Sequence, residues 1–295
     1  MKKNLPFFGC ATALVTPFSG GELDFVSLAR LIERQIAGGV PAIVVGGTTG
    51  ECATLDDRER EILYRTAVEV ARGRTKIILG TGTNDTRVAV AHTRLAESLG
   101  ADAVLTVTPY YNKGTESGII RHYESIARAT SLPVILYNVP SRTGVNLSFP
   151  ILERLAEMDN IVALKEASDS LDRLIDLTAT FEGRLAIYSG NDTQLFATLA
   201  LGGAGIISVL SNLFPREVEE VCQAFAKGEL LRSRECANRL LPLAHALFLD
   251  TNPCPVKYAL ARRGLCEAEV RLPLSEINEE VKKRLDNVLN QYPIE

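Results

Sequence analysis

Short apolar runs alternate eight times with longer amphipathic stretches along this chain, and no other feature of the sequence restricts its fold as much. The runs are Ala11 to Val15, Ala42 to Val45, Lys76 to Leu79, Ala103 to Val107, Val134 to Tyr137, Ile161 to Lys165, Leu185 to Tyr188 and Gly205 to Val209. Each is too short for helical periodicity to develop and reads as a buried strand. Between them lie helical patterns such as Asp24 to Ala37, Asp56 to Ala71, Thr86 to Leu99 and Thr115 to Ala129. Strand–helix alternation implies parallel strands joined by crossover helices, and eight such units close a barrel. An open doubly wound sheet is the competing topology. Polar clusters after the strands favour the barrel, because a barrel enzyme draws its site from many strand ends whereas an open sheet concentrates it at one switch point. The clusters here, among them Gly46-Gly-Thr-Thr-Gly-Glu51, Thr108-Pro-Tyr-Tyr-Asn112 and Ser189-Gly-Asn-Asp192, are shared around the ring. The expected fold is therefore α/β, a (β/α)8 TIM barrel.

The alternation stops near Lys227. From there the pattern is helical only, over Glu229 to Leu249, from Asn252-Pro253 to Arg263, and over Ser275 to Asn290, with Ser275 as the expected N-cap of the last helix. The division predicted is a catalytic barrel over 1–227 and a C-terminal helical domain over 228–295. A chain of 295 residues, 46% hydrophobic and 23% charged, can bury the core this needs. A net charge of −4 with scattered Lys and Arg argues against nucleic acid or an anionic membrane as partner. No segment reaches the length of a membrane span, and Met1-Lys-Lys-Asn-Leu-Pro-Phe-Phe lacks a signal-peptide core, so a cytoplasmic location is expected. The six cysteines form no C-x-x-C pair and read as reduced; His92, His122 and His245 have no second ligand at metal spacing and read as packing or surface residues. Neither a metal nor a cofactor is expected.

The run Ile161-Val-Ala-Leu-Lys165 ends in a lysine. Removing an ammonium from water lowers its pKa and leaves a free amine, a nucleophile toward ketones. Taken alone, Lys165 reads more readily as a structural lysine that snorkels to the surface or pairs with Glu166. The loop Gly46 to Glu51 offers backbone N–H groups and two hydroxyls to an anion, although a tight turn capping the next helix would use the same residues. It is neither a P-loop nor G-x-G-x-x-G. Tyr137 can serve as acid and base, and Arg142 can hold a carboxylate bidentately, against readings as a core aromatic and a solvated loop charge. Of the adjacent Tyr110 and Tyr111, at most one points along the inner face of its strand.

Taken together, Ala13-Leu-Val-Thr-Pro-Phe18, Gly47-Thr-Thr-Gly-Glu51, Thr108-Pro-Tyr-Tyr-Asn112, Tyr137-Asn-Val-Pro-Ser-Arg-Thr-Gly144, Leu164-Lys-Glu-Ala167, Gly190-Asn-Asp192 and Asn252-Pro253 resemble the dihydrodipicolinate synthase family, within the N-acetylneuraminate lyase superfamily of pyruvate-dependent class I aldolases. The resemblance runs over nearly the whole chain. It implies a barrel with a C-terminal helical domain, a homotetramer built from two tight dimers, and condensation of pyruvate with aspartate 4-semialdehyde in diaminopimelate and lysine biosynthesis. By position it implies that Lys165 forms the Schiff base, that Tyr137 is the acid/base, and that Thr48 and Tyr111 complete a proton relay. The tyrosine matching Tyr111 reaches across the tight-dimer interface in the family. Thr49 is implied to hold the pyruvate carboxylate and Arg142 that of the aldehyde substrate, with Gly190 and the Ile207 carbonyl lining the pocket.

Arg142 favours the synthase over a relative that cleaves a sugar-derived 2-keto acid, and the joint presence of Lys165, Tyr137, Thr48 and Tyr111 speaks against a catalytically silent sensor. One departure bears on regulation. The positions matched to a histidine and a glutamate in lysine-inhibited relatives hold Asp57 and Val88, while Asn84 and Tyr110 keep the expected types. Burying an effector ammonium beside Val88 is costly, so weak or absent feedback inhibition is expected.

Overall fold

A computed structural model describes residues 5–292. The first four residues of the N-terminal stretch considered above lie outside the described residues. The chain opens with β1 (Gly9–Ala13) and a small antiparallel hairpin, β2 (Phe18–Ser19) and β3 (Glu22–Leu23), followed by α1 (Phe25–Ala37), β4 (Ala42–Val45), α2 (Asp57–Ala71), β5 (Lys76–Gly80), α3 (Thr86–Ser98), β6 (Ala103–Val107) and α4 (Glu116–Ala127). It continues through β7 (Val134–Asn138), α5 (Pro140–Thr143), α6 (Phe149–Ala156), β8 (Ile161–Glu166), α7 (Leu171–Thr180), β9 (Ala186–Ser189), α8 (Leu195–Ala200), β10 (Gly205–Ser208) and α9 (Pro215–Ala226). Three helices follow: α10 (Leu230–Ala246), α11 (Cys254–Arg262) and α12 (Glu279–Leu289).

All strands but the hairpin pair form a closed parallel barrel in the order β1-β10-β9-β8-β7-β6-β5-β4, so the expected (β/α)8 architecture is present. Alternation along each strand divides the apolar residues between two layers. On β4, Ala42 and Val44 face the barrel interior while Ile43 and Val45 face the helices; on β8, Ala163 faces in and Leu164 faces out. Caps set the helix starts. Asp24 accepts from the Ser27 N–H, Asp56 forms a reciprocal capping box with Glu59, and Thr115 accepts from the Gly118 N–H.

Three local expectations change. The first strand begins at Gly9 and ends at Ala13, two residues earlier than the apolar run indicated. Gly9 lies opposite Gly205 in the ladder, and a Cβ on Gly205 would sit 1.9 Å from the Gly9 carbonyl oxygen, so glycine permits the close pairing that starts the strand. Beyond Ala13, the Val15 N–H donates to the Asn212 side chain instead of to a neighbouring strand. The hairpin was not anticipated; Gly20 and Gly21, with φ of 62° and 88°, make the turn that pairs β2 with β3. Finally, Asn278 and not Ser275 caps α12, its side chain accepting from the Val281 N–H. Ile277 is buried just before it, and residues 275–277 lie outside the helix. Among the described residues no helix is long and apolar enough to cross a membrane, and all six cysteines are free.

Candidate active site

The β7–β8 register places Tyr137 directly opposite Lys165 at the C-terminal end of the barrel. Strand alternation then sorts four polar residues into two pairs. Lys165 and Tyr137 share the inward face with Ala163 and Ile135, while Asn138 and Glu166 point out between the helices. The outward pair is fully satisfied: Asn138 Nδ2 donates to both Glu166 oxygens at 3.0 and 2.9 Å, and Glu166 also accepts from Ser168 N at 2.8 Å and Arg173 Nε at 3.0 Å. Glu166 is therefore not a partner for Lys165, and strand geometry excludes the ion pair that the sequence allowed between them.

Lys165 is 6% exposed, with Nζ 4.3 Å from the centroid of the Tyr137 ring. Among the described residues no carboxylate pairs with it. Burial pushes its pKa down from the usual 10.5 to about 8; the Asp192 carboxylate opposes this and Arg142 adds to it. Burial also raises the Tyr137 hydroxyl to about 12, against the Arg142 charge and a hydrogen bond with the Thr48 side chain. Asp192 is half-buried, and desolvation raises its carboxyl, but it accepts from Ser208 Oγ at 2.5 Å and from the Val209 and Leu210 N–H groups at 3.1 Å.

These groups surround a cavity of about 510 Å³ whose wall includes Thr49, Tyr137, Arg142, Lys165, Gly190 and Asn252. A Cβ on Gly190 would lie 2.5 Å from that of Ala167 and 3.0 Å from Lys165 Cε, so glycine leaves the room the lysine occupies. Thr49 is buried and its Oγ1 accepts from Asn252 Nδ2 at 3.0 Å, while Arg142 Nη2 donates to the Asn252 carbonyl at 3.0 Å. Of the eight residues singled out in the sequence, five line the wall: Lys165, Tyr137, Thr49, Arg142 and Gly190. Thr48 is half-buried behind it, in contact with Tyr137. The Ile207 side chain packs in the barrel interior and is not part of the wall. Tyr111 is 87% exposed, with φ of 73°, and does not reach the cavity of its own chain; Tyr110 is half-buried and also outside it.

The sequence left Asn252 and Asp192 without a role, although both stand in motifs quoted above. His245 and Phe248, both exposed, stand at the edge of the cavity, so the surface histidine expected at 245 lies beside the mouth. His245 lies in the last turn of α10 and Phe248 just beyond its C-cap, and only packing decides that this helix end meets the barrel mouth.

A family model described as the dihydrodipicolinate synthetase family matches residues 6–292. The chain is 44% identical over 289 residues to a protein of Thermotoga neapolitana named 4-hydroxy-tetrahydrodipicolinate synthase, covering 97% of this chain and 98% of that one. It superposes on the crystal structure of dihydrodipicolinate synthase from Aquifex aeolicus with a TM-score of 0.95 at 43% identity, covering 97% and 98% of the two chains. The chloride-inhibited enzyme from Acinetobacter baumannii, solved in complex with pyruvate, gives 0.94 at 42% identity over 96% and 98%. The chain thus belongs to the dihydrodipicolinate synthetase family.

Proposed function

We propose that this protein condenses pyruvate with L-aspartate 4-semialdehyde to give 4-hydroxy-tetrahydrodipicolinate, the first committed step toward diaminopimelate and lysine. The observation that carries the reading is Lys165: a buried amine, unpaired among the described residues and lowered to about 8, opposite a tyrosine at the cavity wall. Neutral Lys165 attacks the pyruvate ketone, and loss of water leaves an iminium. The iminium is an electron sink, so a methyl proton becomes removable and an enamine forms. Tyr137 shuttles protons in these steps, and its contact with Thr48 supports a relay through Thr48 toward Tyr111. The enamine carbon attacks the aldehyde, and the substrate amine then closes the ring and displaces Lys165.

Binding roles follow from position. Thr49 and the backbone of its glycine-rich turn hold the pyruvate carboxylate, and Gly190 and the Ile207 carbonyl complete the pocket. Arg142, on the wall, takes the carboxylate of the aldehyde substrate. Asn252 Oδ1, buried and without a hydrogen-bond partner among the described residues, is an acceptor available to that substrate's amino group. Tyr111, exposed in one chain, would be covered in a tight dimer and act in the neighbour's site, with two such dimers forming a homotetramer. The barrel assigned to 1–227 supplies the catalytic groups, and from the C-terminal helical part Ala244, His245, Phe248 and Asn252 line one side of the mouth. We place the enzyme in the cytoplasm, where both substrates are metabolites.

Borohydride reduction with pyruvate should add one reduced pyruvoyl group at Lys165, located by peptide mass. Ring product should form from pyruvate plus aspartate 4-semialdehyde. Absence of the label would refute the imine, and cleavage of sugar-derived 2-keto acids without ring formation would move the protein to another activity of the superfamily.

A further inference from the structure

Lys257, on α11, is fully buried and takes no part in the chemistry above. Its Nζ lies 2.5 Å from Glu51 Oε1, donates to the Glu269 carbonyl at 2.6 Å, and stands 4.2 Å from the centroid of the Phe18 ring. The Glu51 side chain is 1% exposed, and its Oε2 accepts from the Arg271 backbone N–H at 2.9 Å. The Arg271 guanidinium lies over the same Phe18 ring and clamps Glu59. The C-terminal segment therefore grips the end of the Gly47–Glu51 turn through one buried carboxylate.

Glu51 ends that turn in the left-handed region, at φ 54° and ψ 38°. This conformation is unfavourable for a glutamate, which lacks the short side chain that lets Asn or Asp adopt it. The turn is wound by Gly50 N–H to Gly47 O and Glu51 N–H to Thr48 O, each at 3.0 Å, so the orientation of Glu51 sets those of Thr48 and Thr49. A second contact from the same segment, Asn252 to Thr49, meets the turn from the cavity side. A buried ion pair adds little net stability over packed apolar residues, because desolvating both charges offsets their attraction. What it does specify here is where the carboxylate, and the backbone behind it, must lie.

We infer that Lys257 is a positioning residue for the proposed reaction: by fixing the Glu51 carboxylate it holds the turn that presents Thr48 to Tyr137 and Thr49 to the cavity. This rests on the functional reading above. The test compares Lys257→Met, Glu51→Gln and the double variant, at a temperature where thermal melts show each to be folded. Both single variants should still trap pyruvate on Lys165 with borohydride. Their kcat should fall on the order of tenfold and the pyruvate KM should rise roughly severalfold, as displacement of catalytic groups by a fraction of an ångström entails. The double variant should be no worse than the worse single one, since both remove the same contact. Unchanged kcat and KM in the folded variants would overturn the inference. Failure of both single variants to fold would assign the pair to stability and overturn it as well; if only Lys257→Met unfolds, Glu51→Gln decides. A parent protein that traps no pyruvate would refute the functional reading instead, and the positioning role would fall with it.

Discussion

Lys165 is held at a cost to folding, and the sign of that cost is measurable. Its folded-state pKa of about 8 lies below the usual 10.5, so the unfolded chain binds the extra proton between those two values. The penalty is fully present below about pH 8 and fades as pH rises toward 10.5. Lys165→Met keeps the volume and removes the charge. It should abolish pyruvate labelling while raising unfolding free energy at pH 7 by up to about 3 kcal/mol, an advantage that shrinks in denaturant melts above pH 8. Equal stability of the two proteins at pH 7 would show that the amine is not desolvated. The same shift gives the folded protein a neutral-amine fraction at pH 7 roughly 300 times that of an ordinary lysine, so the rate of imine formation should climb about tenfold per pH unit and level off near pH 8.

Among the elements, β7 and β8 carry the most consequence. Their register aligns Tyr137 with Lys165 on the inner face, and on the outer face Glu166 ties Asn138, Ser168 and Arg173 together. Glu166 is 2% exposed and the Arg173 side chain 12%. Arg173→Leu leaves that carboxylate buried with only its neutral donors and should destabilise the protein by about 3 kcal/mol in urea melts. Adding Glu166→Gln to it should recover part of the loss; a further drop instead would mean that Glu166 acts independently of Arg173.

For the whole molecule, the role proposed for the exposed Tyr111 would make assembly a condition of activity. If it serves the neighbour's site, mixing inactive Lys165→Ala with impaired Tyr111→Phe under conditions of subunit exchange should restore activity to about a quarter of wild type, because half the dimers are mixed and each has one intact site. No gain on mixing would confine Tyr111 to its own chain. Regulation belongs to the same scale. Val88 is exposed on α3, and Asp57 on α2 stands 3.3 Å from His92 Nε2, so lysine should leave the rate nearly unchanged at concentrations that do not alter ionic strength appreciably. Half-inhibition at low lysine concentration would overturn this.

The barrel was legible in the sequence because its cause is local and repeated: eight apolar runs with helices between them leave few closed arrangements. Lys165, Tyr137, Arg142, Thr49 and Gly190 were legible because strand ends in a barrel converge on one mouth and because their motifs resemble a family. Boundaries were less so. Gly9 can start a strand because the Gly205 opposite it allows the close approach, and Asn278 replaces Ser275 as the cap of α12, with Ile277 buried between the two. The parts the tertiary structure alone decided are contacts between segments far apart in sequence, such as Lys257 with Glu51, Asn252 with Thr49, and the end of α10 with His245 and Phe248 beside the mouth. Periodicity records which residues share a face of one element. It does not record which distant element that face will meet, because that is set by how the packed layers close on one another.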